Sequence, residues 1–232
     1  MLFSPQIPLP LEPRRIGGLD EFVAGPNMAV REAVREVART RDRSLFLHGA
    51  SGTGKTHLLN AACLDARAAG RTAFYLGLRT VGAHDTGSLD GLEATDLICL
   101  DDLQAVAGSP VWEEALFHFI NRLRARRGSL LVASRERLRR LPLGLPDLAS
   151  RLAWGLRLEL QPLSDDDKRR VLERHARSLG IELPEDVGRY LLSRGARDMA
   201  TLVGVVTRLQ QTAFREKRQI TVPLARTLMK AD

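Results

Sequence analysis

Gly49-Ala50-Ser51-Gly52-Thr53-Gly54-Lys55-Thr56 matches the phosphate-loop pattern G-x-x-x-x-G-K-[ST] at every fixed position. Before it, Ser44-Leu45-Phe46-Leu47-His48 is a short apolar run that predicts a buried strand, and residues 55–69 behind it carry the period of a helix. Strand, glycine loop and helix are the setting this motif needs. Gly49, Gly52 and Gly54 let the backbone curl so that successive N–H groups and the helix N-terminus point at phosphate oxygens. Lys55 is placed to reach the β and γ phosphates, and Thr56 to offer its hydroxyl to Mg²⁺. A nucleoside diphosphate or triphosphate is the ligand this stretch predicts.

Downstream, residues 72–76 predict a second strand, and residues 77–95 form a connection rich in Gly, Asp and Thr. Asp96-Leu97-Ile98-Cys99-Leu100-Asp101-Asp102 reads as an apolar strand that ends in two carboxylates. Paired acids can simply mark a solvated strand end, but a phosphate loop upstream favours magnesium chemistry. Mg²⁺ takes hard oxygen ligands and keeps several waters, so Asp101 would hold it directly or through water. Asp102 is then the candidate to orient or deprotonate an attacking water. A helix over residues 112–126 follows, with Trp112, Ala115, Leu116, Phe119, Ile120 and Leu123 on one face. A strand over residues 129–134 brings Ser134 to its tip near the γ-phosphate position. A short helix over 147–152 and a strand over 155–160 complete the alternation, which predicts an α/β fold: a parallel β-sheet flanked by helices, with ligand at the carboxyl ends of the strands.

After Pro162 no strand alternates with the helices. Ser164 caps a helix whose first turn holds Asp165, Asp166 and Asp167, and others start near Pro184, near Asp198 and near Val222. The helix near Asp198 buries Leu202, Val205, Val206, Leu209 and Ala213. This predicts a small α-helical domain after the sheet. Upstream of the phosphate loop, Asn27 is expected to cap a helix whose buried face is Met28, Ala33, Val34, Val37 and Ala38. The predicted division is an extended leader over 1–17, a nucleotide-binding domain over 18–160 and a helical lid over 161–232.

The net charge of +7 and pI of about 10.2 favour an acidic partner or nucleic acid, although only four of the 35 basic residues are lysine. Arg122, Arg124, Arg126, Arg127, Arg135, Arg137, Arg139 and Arg140 face one acid, Glu136, between residues 122 and 140. A DNA-contacting patch and a solvated face in an Arg-rich chain both fit this run, and the lack of interleaved aromatics favours the second. Cys63 and Cys99 lie in apolar segments without ligand spacing and read as small core residues in a reducing cytoplasm. The histidines have no metal-ligand spacing. No apolar run approaches 18 residues and no signal peptide is evident, so a cytoplasmic protein with no membrane attachment is expected.

Taken together the motifs resemble the AAA+ ATPase module, and more closely the DnaA family, over nearly the whole chain from Phe22 onward. Residues 52–60, Gly-Thr-Gly-Lys-Thr-His-Leu-Leu-Asn, are similar to that family's P-loop, and residues 100–104, Leu-Asp-Asp-Leu-Gln, to its Walker B. The resemblance implies that Phe22 and Val23 of Phe22-Val23-Ala24-Gly25 border the adenine, and that Thr53, His57 and the motif glycines join the nucleotide contacts. It also implies an arginine finger, Arg151, in Asp147-Leu148-Ala149-Ser150-Arg151-Leu152. Arg197, in Ala196-Arg197-Asp198-Met199, would be the sensor 2 arginine that clamps the phosphates from the lid. Ser134 stands at sensor 1, where relatives often carry a stronger polar residue.

Two departures narrow the resemblance. Residues 77–95 are too short for the initiator's two-helix insertion, and 232 residues leave no room for its origin-reading domain. Instead the chain starts with a leader in which Gln6-Ile7-Pro8-Leu9-Pro10-Leu11 is similar to the peptide by which bacterial proteins dock on the sliding clamp, the β subunit of DNA polymerase III. Ile7 replaces the usual Leu, a volume-conserving change. Gln6 would supply amide hydrogen bonds, and the leucines would fill an apolar pocket. The resemblance is therefore to the regulatory-inactivator branch of the DnaA-like proteins. It implies a protein that docks on DNA-loaded clamps, engages ATP-bound DnaA and promotes hydrolysis of the initiator's nucleotide through Arg151, preventing re-initiation. Its own ADP or ATP, with Mg²⁺, would serve as a conformational ligand with little turnover. Contact with DNA through the clamp complex and a homodimer are both compatible with this. An autonomous ATPase of the helicase-loader type that binds single-stranded DNA, and a nucleotide-gated scaffold without catalysis, are the alternatives.

Overall fold

The computed structural model describes residues 18–82, 85–194 and 199–230. Five parallel strands, β1 (Ser44–His48), β2 (Ala73–Gly77), β3 (Leu97–Asp101), β4 (Ser129–Ser134) and β5 (Leu156–Glu159), form one sheet in the order β2-β3-β4-β1-β5. Parallel strands covered on both faces need apolar side chains at every position, not at alternate ones. Leu-Ile-Cys-Leu in β3 and Leu-Leu-Val-Ala in β4 satisfy that, and both strands are buried throughout. β5 is the edge: Leu156 and Arg157 are exposed, and it pairs only with β1. It lies beside β1 because Gly155, at φ +121°, lets the chain pass the Ser44 carbonyl, with which any Cβ there would collide.

Two helices cover each face. On one side α1 (Met28–Arg39) and α2 (Lys55–Ala68) pack Val34, Val37, Leu58, Leu59 and Ala62 against Leu45, Leu47, Leu97 and Leu131. On the other, α3 (Pro110–Ala125) and α4 (Pro146–Leu152) pack Trp112, Leu116, Phe119, Leu148 and Leu152 against Phe46, Ile98, Leu130 and Val132. The connection after β2 belongs to this second face: it forms two short turns, Thr86–Leu89 and Leu92–Ala94, and buries Leu89 beneath α3. Both cysteines are free and buried, and burial pushes the Cys99 thiol well above its ordinary value.

Two expectations for α1 fail. Met28 is 51% exposed, whereas Val30, Val34, Val37 and Ala38 form the buried stripe. At 100° per residue Met28 lies about 200° around the helix from Val30, on the solvent side. Asn27 does not cap the helix with its side chain. It is buried, and its amide donates to the Gln161 carbonyl at 3.0 Å and accepts from the Gln161 N–H at 2.7 Å, pinning the start of α1 to the segment that leaves β5. Asn27→Ala would strand both backbone groups, so we expect a loss of roughly 2–3 kcal/mol in unfolding free energy. Urea titration checks this; a loss below ~0.5 kcal/mol would mean water replaces the pair.

The C-terminal helices, α5 (Asp165–Ser178), α6 (Glu185–Arg194), α7 (Met199–Glu216) and α8 (Val222–Lys230), form a helical lid with a separate core built on Leu172, Val187, Leu191, Leu202, Val206 and Leu209. Ser164 caps α5 as expected, accepting from the Asp167 N–H. Ala213 is half-buried, at the margin of the stripe. The lid also grips the N-terminal turn. Arg174 of α5 donates to the carbonyls of Asp20 and Glu21, at 3.2 and 2.6 Å.

Candidate functional site

The phosphate loop bridges β1 and α2 at the carboxyl edge of the sheet, where the fold class puts a ligand. Its glycines are needed for different reasons. A Cβ on Gly49 would come within 2.6 Å of the Leu160 carbonyl, while Gly52 and Gly54 sit at φ +77° and +102°, in the left-handed region. Thr53 is buried and donates to the Ala50 carbonyl at 2.9 Å. Lys55, 7% exposed, donates from Nζ to the carbonyls of Gly49 and Ala50, at 2.7 and 2.8 Å, so one ammonium braces the whole curl. Burial pulls its pKa down, against the upward pull of Asp101 and Asp102.

Beside it, at the end of β3, Asp101 is 2% exposed and fully engaged. Its Oδ2 accepts from the Thr56 hydroxyl at 2.6 Å and from the Tyr75 hydroxyl at 3.0 Å, and its Oδ1 from the Asp102 N–H at 2.9 Å. Burial, then the adjoining Asp101 charge, pushes the Tyr75 phenol far up, so it stays a donor. A hydroxyl and a carboxylate in contact at a phosphate loop form the hard-oxygen pair that fits Mg²⁺, with water and phosphate completing the shell. Among the described residues no group of three or more His, Cys, Asp or Glu could hold a metal by itself.

Asp102 leaves the strand at φ +57°, unusual for a residue other than glycine. Its carboxylate accepts from Arg79 Nε at 3.1 Å and from Gln104 Nε2 at 2.6 Å, with Arg135 4.0 Å away. The Gln104 oxygen accepts in turn from the Ser134 hydroxyl and the Arg135 N–H, at 3.1 and 3.0 Å. Gln104 thus joins Asp102 to the fully buried Ser134 in one network. Sequence reasoning missed Gln104, Arg79 and Tyr75; only the position of Gln104, two residues past the paired acids, carried a signal.

Phe22 packs against the loop, with its ring edge 3.3 Å from where a Gly54 Cβ would stand and its centroid 5.7 Å from that of His57. Val23 beside it is half-buried. Burial lowers the His57 pKa, and its Nε2 has no hydrogen-bond partner among the described residues. Between loop and lid lies a cleft of about 430 Å³, within the range of small-ligand sites. Residues 50–53 line one side, and Leu163, Lys168, Leu192, Met199 and Leu202 are among those lining the other. Lys168, paired with Asp165 at 2.9 Å, is a cation in this cleft that sequence reasoning did not single out. Arg197 lies outside the described residues, as do Gln6, Ile7, Pro8, Leu9, Pro10 and Leu11.

Arg151 sits on α4, against the face of the sheet opposite α2. Its guanidinium carbon is 6.0 Å from the Phe117 ring centroid, and its buried Nε has no hydrogen-bond partner among the described residues. The eight arginines do not form one patch. β4 separates Arg122, Arg124, Arg126 and Arg127 at its start from Arg135, Arg137, Arg139 and Arg140 beyond its end, about 20 Å apart at the rise of a strand. Several are also occupied: Arg122 pairs with Glu93, Arg137 with Glu159, and Arg124 lies 3.9 Å over the Trp154 ring.

Two segments match family models: residues 14–76 the bacterial DnaA ATPase domain, and residues 165–229 the lid domain of Hda. Domain III of the Thermotoga maritima replication initiation protein DnaA is similar in structure, with a TM-score of 0.81 at 24% identity over 92% of this chain and 95% of that one. AMPPCP-bound DnaA from Aquifex aeolicus gives 0.70 at 24% identity over 85% of this chain and 66% of that one. The Thermotoga maritima RuvB Holliday junction branch migration motor gives 0.66 at 18% identity over 92% and 71%. The chain therefore has a DnaA-like AAA+ fold with a C-terminal helical lid. No helix among the described residues is long and apolar enough to cross a membrane.

Proposed function

We propose that this chain is an Hda-type regulator that docks on the DNA-loaded sliding clamp through residues 6–11 and accelerates hydrolysis of ATP held by DnaA. What carries this reading is the position of Arg151: a cation on the sheet face opposite α2, the helix that follows its own phosphate loop, seated on an aromatic ring with Nε unpartnered among the described residues. Such a side chain suits a neighbour's nucleotide better than its own. The match of residues 165–229 to the Hda lid supports the same reading.

In this mechanism the chain's own nucleotide is a conformational ligand. Loop N–H groups and Lys55 would bind its phosphates, Thr56 and Asp101 would hold Mg²⁺, Phe22, Val23 and the lid wall would enclose the base, and Arg197 would clamp the phosphates. Bound Mg²⁺ would neutralise phosphate charge. Arg151 enters the initiator's site and offers its guanidinium to the charge that builds on the transferring phosphoryl group. The bonds that break and form belong to the initiator's ATP and water.

The test is single-turnover hydrolysis of DnaA-bound ATP with the full chain and with a chain lacking residues 1–11, each with DNA-loaded clamps. The full chain should accelerate hydrolysis and be retained by clamp beads. The shortened chain should do neither, with nucleotide binding intact. Equal activity of the two chains would remove the tether, and no acceleration by either would remove the function.

A further inference from the structure

The strongest feature outside the phosphate site is a buried carboxylate with three backbone donors. Glu113 is 3% exposed in the first turn of α3. Its Oε1 accepts from the N–H groups of Gly108 at 2.8 Å and Gly144 at 3.2 Å, and its Oε2 from the N–H of Leu145 at 2.7 Å. Leu145 is the residue at the N-cap of α4, which provides no side-chain cap of its own. A seven-residue helix is too short to hold itself together, so its fixed points decide where it lies.

Those fixed points come from one stripe of α3. Glu113, Phe117 and Arg124 follow at helical spacing, i, i+4 and i+11. Glu113 grips the start of α4, Phe117 lies under Arg151 near its end, and Arg124 stacks on Trp154 just beyond it. Gly108 follows the turn Leu103–Ala105, whose Gln104 ties to Asp102 and Ser134. One carboxylate therefore joins the segment leaving β3 to the helix that carries Arg151.

Resting on the function proposed above, we infer that Glu113 is a positioning residue that holds the α4 N-terminus and thereby sets where Arg151 is presented to a partner's nucleotide. Glu113→Gln isolates the effect. The amide oxygen can still accept from Gly108 and Gly144, but the amide nitrogen then faces the Leu145 N–H, donor against donor. Misplacing a group by about 1 Å can cost ~10²-fold in rate. Glu113→Gln should therefore slow stimulated hydrolysis roughly 10- to 100-fold. The concentration of the chain needed for half-maximal stimulation and its own ADP affinity should stay unchanged.

The full chain also allows a partner-free measurement, amide hydrogen exchange. Glu113→Gln should speed exchange at residues 145–152 about tenfold or more while leaving β1, β3 and β4 as in the wild type. Exchange that is unchanged there, or faster throughout the sheet, overturns the inference. Local loosening with a wild-type stimulated rate overturns it too. Should wild type and Arg151→Ala both fail to stimulate, the proposed function falls, and the exchange pattern alone decides whether Glu113 fixes this helix.

Discussion

Arg151→Ala is expected to slow hydrolysis of DnaA-bound ATP by ~10³-fold in the clamp-dependent assay, the scale on which a trans-acting arginine works. Clamp retention and nucleotide affinity should not change. The chemical basis is that the transferring phosphoryl group gathers charge on its equatorial oxygens, and a delocalised fork of N–H donors meets that charge without reorganising. The fold should tolerate the change. Leu148 and Leu152 anchor α4 in the core, and the Arg151 Nε makes no hydrogen bond that would be lost. Truncation should therefore move unfolding free energy by no more than about 0.5–1 kcal/mol. Arg151→Lys keeps the charge but not the planar fork, so it should recover only part of the rate. A truncated protein that stimulates as well as the wild type would leave a scaffold without catalysis as the surviving explanation.

The parts of this architecture legible in the sequence were those where the chemistry is local. The loop glycines, the apolar runs of β1, β3 and β4 and the Ser164 cap each act within a few residues, so their types and spacing suffice. Asn27 misled because an amide beside a helix start has the same local signature whether it caps that helix or reaches Gln161, 134 positions away. Glu113 was invisible for a related reason. Next to Glu114 it looks like any acid placed to complement a helix dipole, and only the fold brings Gly144 and Leu145 to it. The arginine run, open in the sequence between a DNA-contacting patch and a solvated face, gained its layout only from the fold. Residues close along the chain are parted by a buried strand, which puts the two halves of the run at opposite ends of β4. Tyr75 became visible only when β2 and β3 were aligned, and Gln104, hinted at by its place after the paired acids, gained its role only when β4 was, since each acts on a residue of another element.

Lys55→Ala tests the other half of the mechanism. We expect the affinity for ADP and ATP to fall about 10²- to 10³-fold, since removing one member of a buried charge pair costs 2–5 kcal/mol and 1.4 kcal/mol is a factor of ten. The ammonium has two tasks that Ala cannot take over. It braces the curl through the Gly49 and Ala50 carbonyls, and it is the nearest buried cation to any phosphate the loop receives. Burial alone weakens its hold on a proton; an arriving phosphate acts in the opposite direction, so the charged form and the bound nucleotide stabilise each other. Calorimetric titration with ADP, ATP and adenosine separates the contributions: the phosphate-bearing ligands should lose affinity and adenosine should not. If Lys55→Ala binds ADP as the wild type does, the loop is not the phosphate site. If it loses ADP yet still accelerates DnaA's hydrolysis fully, the chain's own nucleotide does not control the presentation of Arg151. Loss of both ties the phosphate loop to the finger helix as one device.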